Sequence, residues 1–179
     1  MGTLSVLAVL AAVEAVGADL AAAGLALAEL GGLKGRGARH TVTVQGGEAL
    51  LIDESYNANP ASMAATITAL GCASADRHVA ILATMKELGS KSAEFHVGIK
   101  AHLDAAGVSY ALLVGEEMAP LAETLARDVA WAGKFTHCAN AKEAIAAVSD
   151  IVRPGDAILI KGSNSMGLPA LVDALVRAE

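Results

Sequence analysis

The most chemically varied stretch of the chain is residues 53–59, which read Asp-Glu-Ser-Tyr-Asn-Ala-Asn. It follows an apolar run at residues 49–52 that is typical of a buried strand. Pro60 comes next, which favours a helix that begins there with Asn59 as its N-cap. Carboxylate, hydroxyl, phenol and amide groups thus lie between a strand and a helix, at the edge of an α/β sheet where ligands bind. We interpret this loop as a binding site.

A second polar loop, Lys-Gly-Ser-Asn-Ser at residues 161–165, follows the apolar run at residues 157–160. Lys161 together with hydroxyl and backbone N–H donors near a helix N-terminus can hold a carboxylate or a phosphate. Alternatively, Ser163 or Ser165 only caps the next helix and Lys161 is solvated. The sequence leaves both interpretations open, because capping and anion binding can use the same atoms.

Other reactive residue types point to no further site. His96 and His102 lie six positions apart on a predicted helix, whereas two metal ligands on one face would lie four apart, so we predict no metal site. Ser55 has no G-x-S-x-G context, and no catalytic constellation is predicted. Cys72 and Cys138 are isolated, as in a cytoplasmic protein with reduced thiols.

Hydrophobic periodicity predicts the elements that position these loops. A β-hairpin is expected at residues 41–44 and 49–52 around a glycine turn at 45–48. Strands and helices then alternate, which requires parallel pairing through right-handed crossovers. The predicted strands are 79–83, 110–114, 134–137 and 157–160, and the predicted helices are 60–72, 90–106, 117–127, 141–152 (with Asn140 as N-cap) and 168–178. The expected fold is α/β, a doubly wound and mostly parallel sheet entered by a β-hairpin and preceded by two helices.

Composition and charge restrict the class of protein. Of the 179 residues, 54% are hydrophobic but only 3% aromatic, so the core must be built from Ala, Val, Leu and Ile, as in helices packed on a parallel sheet. The formal net charge of −6 argues against a nucleic-acid partner. No run approaches the ~20 apolar residues that span a bilayer, and no basic region typical of a signal peptide begins the chain.

The first part of the chain has a different character from the rest. Two apolar helices are predicted at residues 4–16, ending at Gly17, and at 19–30, capped by Asp19. Their faces are apolar nearly all round, so we expect them to pack against another domain. The glycine-rich basic stretch 31–37 marks the boundary, and it is interpreted as a flexible connector because it lacks P-loop spacing.

Four motifs in the chain resemble those of the Mur ligases. Residues 53–63 are similar to the D-D-S-Y-N-A-N-P-x-S-M stretch of that family, and Gly35-Arg36 resembles its preceding G-R element. Residues 84–89, with His96 after them, resemble the G-D-M-x-E-L-G…H segment. Residues 161–166 resemble K-G-S-R-S-M. Four motifs in the same order at compatible spacing make the resemblance specific.

This resemblance implies a domain assignment and an activity. Residues 35–179 would be a Mur ligase C-terminal domain with a Rossmann-like fold, and residues 1–34 the helical tail of the central ATPase domain. The activity implied is ATP-dependent amide-bond formation that adds D-Ala-D-Ala to UDP-N-acetylmuramoyl-tripeptide during cytoplasmic peptidoglycan precursor synthesis, which serves cell wall biogenesis, cell shape and cell division. The domain would close over ATP and bind the dipeptide, while Mg²⁺ would be bound mainly by the central domain.

The resemblance also implies roles for individual residues. One group would contact ATP or order the loop that does: Arg36, Asp53, Ser55, Tyr56, Asn57 and Asn59. The other group would face the incoming dipeptide, with Lys161 suited to its carboxylate: Thr84, Met85, Glu87, Lys161, Ser163 and Asn164.

The chain departs from the family pattern in two places. Ala83-Thr84 replaces Gly-Asp, and Asn164 replaces an arginine, so the identity of the amine substrate stays open. The chain contains no G-x-x-G-K-[ST] phosphate loop, and it is therefore predicted to be inactive in ligation by itself, with no catalytic residue of its own. Two alternatives are a stand-alone nucleotide- or peptide-binding module of the same fold and another Mur-type or folylpolyglutamate-like ligase.

Overall fold

The computed structural model describes residues 3–29 and 33–177. Two helices come first, α1 (Thr3–Ala15) and α2 (Leu20–Glu29). The Asp19 carboxylate accepts the amides of Ala21 and Ala22 at 2.8 and 3.2 Å, which confirms the predicted N-cap. Across the described residues, no helix is both long and apolar enough to cross a bilayer.

A six-stranded sheet forms the centre of the rest of the chain, in the order β1-β2-β6-β3-β4-β5. The β1–β2 hairpin is antiparallel and every other pairing is parallel, as the sequence predicts. Its turn is tighter than expected, because β1 ends at Val44 and β2 begins at Gly47. The strands are β1 (Ala38–Val44), β2 (Gly47–Glu54), β3 (Arg77–Ala83), β4 (Tyr110–Val114), β5 (Phe135–Cys138) and β6 (Asp156–Lys161).

Five helices cover the two faces of this sheet. Apolar residues of α3, α4 and α5 form one core with the sheet, and those of α6 and α7 form the other. Along β3 the side chains alternate between the cores, with Ala80 and Leu82 in the first and Val79, Ile81 and Ala83 in the second. The helices are α3 (Pro60–Gly71), α4 (Ser92–Ala105), α5 (Ala119–Ala126), α6 (Ala141–Ile151) and α7 (Leu168–Val176).

Two of the predicted helices begin later than the sequence indicated. Single 3₁₀ turns, Gly89–Lys91 and Glu116–Met118, occupy the first residues of the predicted spans, and α4 and α5 follow them. For α5 the reason is Pro120, whose fixed φ and missing N–H suit only the first turn of an α-helix.

An ion pair ties together the amino-terminal ends of the central strands. Arg77 on β3 and Asp156 on β6 are register partners, and Nε and Nη2 of Arg77 each donate to one Asp156 oxygen at 2.9 Å. The carboxylate is buried and also accepts the Arg153 amide at 2.8 Å. The pair therefore lies at the edge opposite the polar loops.

We predict that Arg77→Met destabilises the fold strongly, because it leaves a buried carboxylate without its cation, a loss of about 3 kcal/mol. Chemical denaturation measures the change in the free energy of unfolding. Arg127→Met is the matched control, since Arg127 pairs with Glu123 at 3.6 Å on the exposed surface, and its effect should stay within about 0.5 kcal/mol. Equal small effects of both variants would contradict the prediction.

Candidate functional site

The loops that follow the parallel strands lie along one edge of the sheet, and hydrogen bonds join them. The Thr84 amide after β3 donates to the Val114 carbonyl of β4 at 3.1 Å. The Ser163 amide after β6 donates to the Thr84 carbonyl at 3.2 Å. We refer to this edge, formed by residues 54–59, 84–88, 115–117 and 162–167, as the rim.

A buried carboxylate organises the β2 side of the rim. Asp53 is 1% exposed, and its two oxygens accept the amides of Gly35 at 2.7 Å and Ser55 at 3.0 Å. The Gly37 amide donates to the Asp53 carbonyl at 2.8 Å, and the Tyr56 amide donates to the Gly35 carbonyl at 3.0 Å. Asp53 therefore orders the loop, and both its oxygens are already used within the chain.

These bonds correct the interpretation of the glycine-rich stretch. Its described part, residues 33–37, is held against the β2 loop and is therefore not a flexible connector. Gly35 has φ +73, and a Cβ there would lie 2.9 Å from Cβ of Tyr56. Only glycine satisfies both the left-handed backbone and the close approach.

Arg36 and Tyr56 form an exposed stack on this anchored segment. The guanidinium carbon of Arg36 lies 4.1 Å from the centre of the Tyr56 ring, within the range of a cation–π contact. Tyr56 is 47% exposed. An aromatic ring beside a guanidinium offers a stacking surface for a planar base and a bidentate partner for phosphate.

The remaining predicted site residues of this loop differ in their exposure and in their hydrogen bonds. Ser55 is buried, at 1% exposure. Asn57 is exposed, and its Oδ1 accepts the Ala58 amide at 2.8 Å. Asn59 forms a capping box with Ser62, since its Oδ1 accepts the Ser62 amide at 2.8 Å and its own amide donates to Ser62 Oγ at 3.1 Å. The predicted N-cap of α3 is confirmed.

Lys161 is not solvated. Its side chain is 2% exposed, and Nζ donates to the backbone oxygen of Asn57 at 2.8 Å. Glu54 Oε2 lies 3.8 Å from the same ammonium. Burial lowers the pKa of Lys161, while the charge and hydrogen-bonding of Glu54 act in the opposite direction. Glu54 was not among the predicted site residues, although its place beside Asp53 at the end of β2 was a usable signal.

The loop after β6 presents polar groups without capping a helix. Ser163 is half-buried, Asn164 is exposed, and Asn164–Met166 forms a 3₁₀ turn. Neither Ser163 nor Ser165 caps α7, whose N-cap is Gly167, and Ser165 Oγ instead donates to Ser163 Oγ at 3.4 Å. The interpretation of these serines as simple caps is wrong.

Thr84 and Met85 are the buried residues of the β3 loop. Among the described residues, Thr84 Oγ1 has no hydrogen-bond partner. Gly115 packs directly on this hydroxyl: its φ is +106, and a Cβ there would collide with Thr84 Oγ1. These two side chains shape the loop, while the exposed residues around them are the ones that can meet a ligand.

His96 fixes the backbone of the β3 loop, a role that spacing alone did not reveal. Its Nε2 accepts the Met85 amide at 2.9 Å, and its Nδ1 lies 2.8 Å from the Ser92 carbonyl. Accepting at Nε2 and donating from Nδ1 requires the neutral ring. Burial lowers the pKa of His96, with Lys86 acting in the same direction, whereas the Ser92 bond and Glu117 oppose the shift.

Glu87 occupies a strained position at the tip of the same loop. It is exposed and has φ +64, a left-handed conformation that non-glycine residues rarely adopt. Its neighbour Lys86 pairs with Glu117 at 2.6 Å. Strain of this kind is found more often at functional sites than elsewhere, and the role of Glu87 stays a prediction.

A three-layer α/β fold with polar loops at the carboxyl ends of its parallel strands places the chain in the doubly wound class, whose members bind ligands at that edge. The profile of one family, "Mur ligase, glutamate ligase domain", matches residues 38–164. The chain belongs to the Mur ligase family and contains its C-terminal domain.

Sequence relatives point to one member of that family. The chain is 32% identical over 156 residues to the UDP-N-acetylmuramoyl-tripeptide–D-alanyl-D-alanine ligase of Mycobacterium tuberculosis, which covers 77% of this chain and 31% of that protein. The Synechocystis enzyme of the same name is 32% identical over 143 residues, covering 80% and 30%. The chain thus spans about a third of the length of these curated relatives.

Solved structures share the fold. The MurF ligase of Thermotoga maritima in complex with ADP superposes with a TM-score of 0.72 at 21% identity, covering 94% of this chain and 36% of that one. A MurF structure from Acinetobacter baumannii gives 0.74 at 24% identity, with 90% and 35% covered. These likenesses confirm the predicted Rossmann-like architecture.

His96 should make stability depend on pH. Its pKa is lowered in the folded state, so below the ordinary value of 6.5 the unfolded chain binds the proton more readily and the free energy of unfolding falls. His96→Gln keeps a donor and an acceptor but cannot titrate, and it should flatten this loss on acidification. Urea denaturation between pH 7.5 and 5 tests this, with exposed His102→Gln as the control that retains the wild-type slope. An unchanged slope in His96→Gln would refute the assignment.

Replacing Glu87 should relieve strain. Glu87→Gly removes a left-handed cost of about 1–2 kcal/mol, partly offset by the extra freedom of glycine in the unfolded chain, for a net stabilisation of about 0.5 kcal/mol. Glu94→Gly is the matched control, because Glu94 is exposed on α4 and glycine there costs about 1 kcal/mol. Thermal unfolding distinguishes the two, and a destabilised Glu87→Gly would show instead that its side chain holds the loop.

Proposed function

We propose that this chain is the C-terminal part of an ATP-dependent ligase that adds D-Ala-D-Ala to UDP-N-acetylmuramoyl-tripeptide in cytoplasmic peptidoglycan precursor synthesis. The names of the curated relatives and the four ordered motifs support this assignment. In that role the protein contributes to cell wall biogenesis, and through it to cell shape and cell division. The observation that carries the proposal is the exposed Arg36–Tyr56 stack, held in place by the buried Asp53 carboxylate.

The proposal includes a division of the chain into two parts. Residues 35–179 form the C-terminal domain, and residues 1–34 belong to the helical tail of a central ATPase domain. Exposed apolar side chains on the two helices support this, since Leu7 is 57% and Leu25 is 70% exposed. Several exposed large apolar side chains on two neighbouring helices are typical of a face that packs against another domain.

The β2 side of the rim is proposed to bind ATP. Tyr56 packs on the base, while Arg36 and Asn57 contact the phosphates or the ribose. Three predicted residues of this loop act on ATP only indirectly. Asp53 and Asn59 use their side chains to hold the loop and the following helix, and Ser55 is buried.

The β3 and β6 loops are proposed to meet the dipeptide. Glu87, Ser163 and Asn164 are accessible and can bind its ammonium and carboxylate through charge and hydrogen bonds. Thr84 and Met85 shape the surface from below. Asn164 supplies an amide where the family pattern has a guanidinium, which weakens attraction for a carboxylate at that position.

The proposed reaction uses both the β2 loop, which binds ATP, and the β3 and β6 loops, which meet the dipeptide. The tripeptide carboxylate attacks the γ-phosphorus of ATP, forming an acyl phosphate and ADP; the dipeptide amine then attacks the acyl carbon, and inorganic phosphate leaves. The residues of this chain bind and orient ATP and the amine, which accounts for much of the catalytic advantage in reactions of this kind. Mg²⁺, the second cofactor of this proposal, would be held mainly by the central domain, as the family resemblance implies.

Nucleotide binding to the chain itself tests the proposal. Adding ATP to the ¹⁵N-labelled protein should shift the amides of residues 35–37 and 54–59, with weak affinity because no phosphate loop is present. Arg36→Ala and Asn57→Ala should each weaken binding by about 5- to 10-fold, which corresponds to about 1 to 1.4 kcal/mol, the net value of one ordinary hydrogen bond. Lys142→Ala, an exposed change on α6, is the control that leaves binding intact. ATP shifts confined to other regions would overturn the nucleotide assignment.

The chain alone should form no amide bond from ATP, the UDP-linked tripeptide and D-Ala-D-Ala. Phosphate release and product mass measure this. Tight ATP binding without ligation would favour the alternative, a stand-alone nucleotide- or peptide-binding module of the same fold.

A further inference from the structure

The Lys161 ammonium links the loop after β2 to the end of β6. It extends from the end of β6, next to the loop proposed to meet the dipeptide, but its hydrogen bond goes to the opposite loop, at the Asn57 carbonyl. The two residues are 104 positions apart in the chain. The nucleotide-binding role of the β2 loop is part of the proposed function. A functional role for Lys161 in holding that loop therefore rests on the proposed function.

The surroundings of Lys161 leave little opportunity for a ligand. Nζ is 2.8 Å from the Asn57 oxygen and 3.8 Å from Glu54 Oε2, and the side chain is 2% exposed. Reaching a solvent-borne carboxylate would break the bond to Asn57 and leave that buried interaction unmade. A buried ammonium is tolerated when partners of this kind compensate its desolvation.

The Asn57 carbonyl is a sensitive point in the nucleotide loop. It follows the Tyr56 ring directly, and the Asn57 side chain turns back to accept the Ala58 amide at 2.8 Å. The loop is anchored at its start by Asp53 and at its end by the Asn59 capping box. Between these two points the Tyr56 amide is bonded to the Gly35 carbonyl, and Lys161 supplies a further anchor at the Asn57 carbonyl.

We infer that Lys161 is a positioning residue for the nucleotide-binding loop, holding the Asn57 carbonyl so that Tyr56 and Asn57 face ATP, and that it is not a ligand of the dipeptide carboxylate. This differs from the role that the motif alone implied. Glu54 belongs to the same arrangement, because its carboxylate balances the buried ammonium. The lowered pKa of Lys161, caused chiefly by burial, agrees with an ammonium enclosed by the fold.

The experiment compares two ligands on the same variants. Lys161→Met preserves the aliphatic length and removes the charge, and exposed Lys142→Met is its control. Titrations of the ¹⁵N-labelled chain with ATP and separately with D-Ala-D-Ala give the two affinities. Lys161→Met should weaken ATP binding by about 5- to 10-fold and change D-Ala-D-Ala binding by less than about twofold. Lys142→Met should change neither.

Two results would overturn the inference. Loss of D-Ala-D-Ala binding with ATP binding intact would make Lys161 a ligand of the dipeptide. A parallel loss of both affinities would make its role generally structural. Glu54→Gln is a second variant in case Lys161→Met folds poorly; it keeps the ammonium, and it should weaken ATP binding in the same direction but less.

A measurement without ligand separates this inference from the proposed function. Hydrogen exchange of the Ala58 amide should be faster in Lys161→Met than in wild type, because the loop loses its anchor at the adjacent Asn57 carbonyl, and unchanged in Lys142→Met. Unchanged protection at Ala58 would overturn the positioning role even where ATP binds. If wild type shows no response to ATP while Ala58 exchange accelerates as expected, the nucleotide assignment fails and the anchoring of the loop stands.

Discussion

The carboxylate of Asp53 is the interaction on which the candidate site depends. A buried carboxylate must have its oxygens satisfied, and here backbone amides from both sides of the loop satisfy them. One of these amides, Gly35, lies in the segment that enters the hairpin, and the other, Ser55, begins the loop that leaves it. Because the same group holds both, Arg36 is brought over the Tyr56 ring.

Buried and exposed polar residues divide the work along the rim. Asp53, Lys161 and His96 direct their side chains at backbone groups, so they determine where the loops lie. Tyr56 and Glu87 are accessible on loops arranged by those bonds. A motif therefore contains two kinds of residue that sequence letters do not distinguish: those whose side chains are exposed, and those whose side chains hold the loop in place.

Much of the fold could be predicted because its signals are local. Apolar runs bounded by polar loops indicated β2, β3, β4 and β6, and Asn59, Asn140 and Asp19 cap their helices as expected. The error at residues 33–37 arose because a distant contact decides. Residues 33–37 have a composition typical of a flexible connector, yet a hydrogen bond to Asp53, eighteen positions away, holds Gly35 in place.

The sequence by itself determined the α/β class, the family and the edge of the sheet at which the polar loops meet, because periodicity and ordered motifs are properties of neighbouring residues. Only the tertiary structure decided which side chains at that edge face outward. The motif that contains Lys161 predicts an anion-binding lysine. In the structure β6 pairs with β2, and this pairing places the Lys161 ammonium on the Asn57 carbonyl. Exposure depends on what packs around a residue, and the partners of Lys161, Glu54 and Asn57, lie more than a hundred positions earlier in the chain.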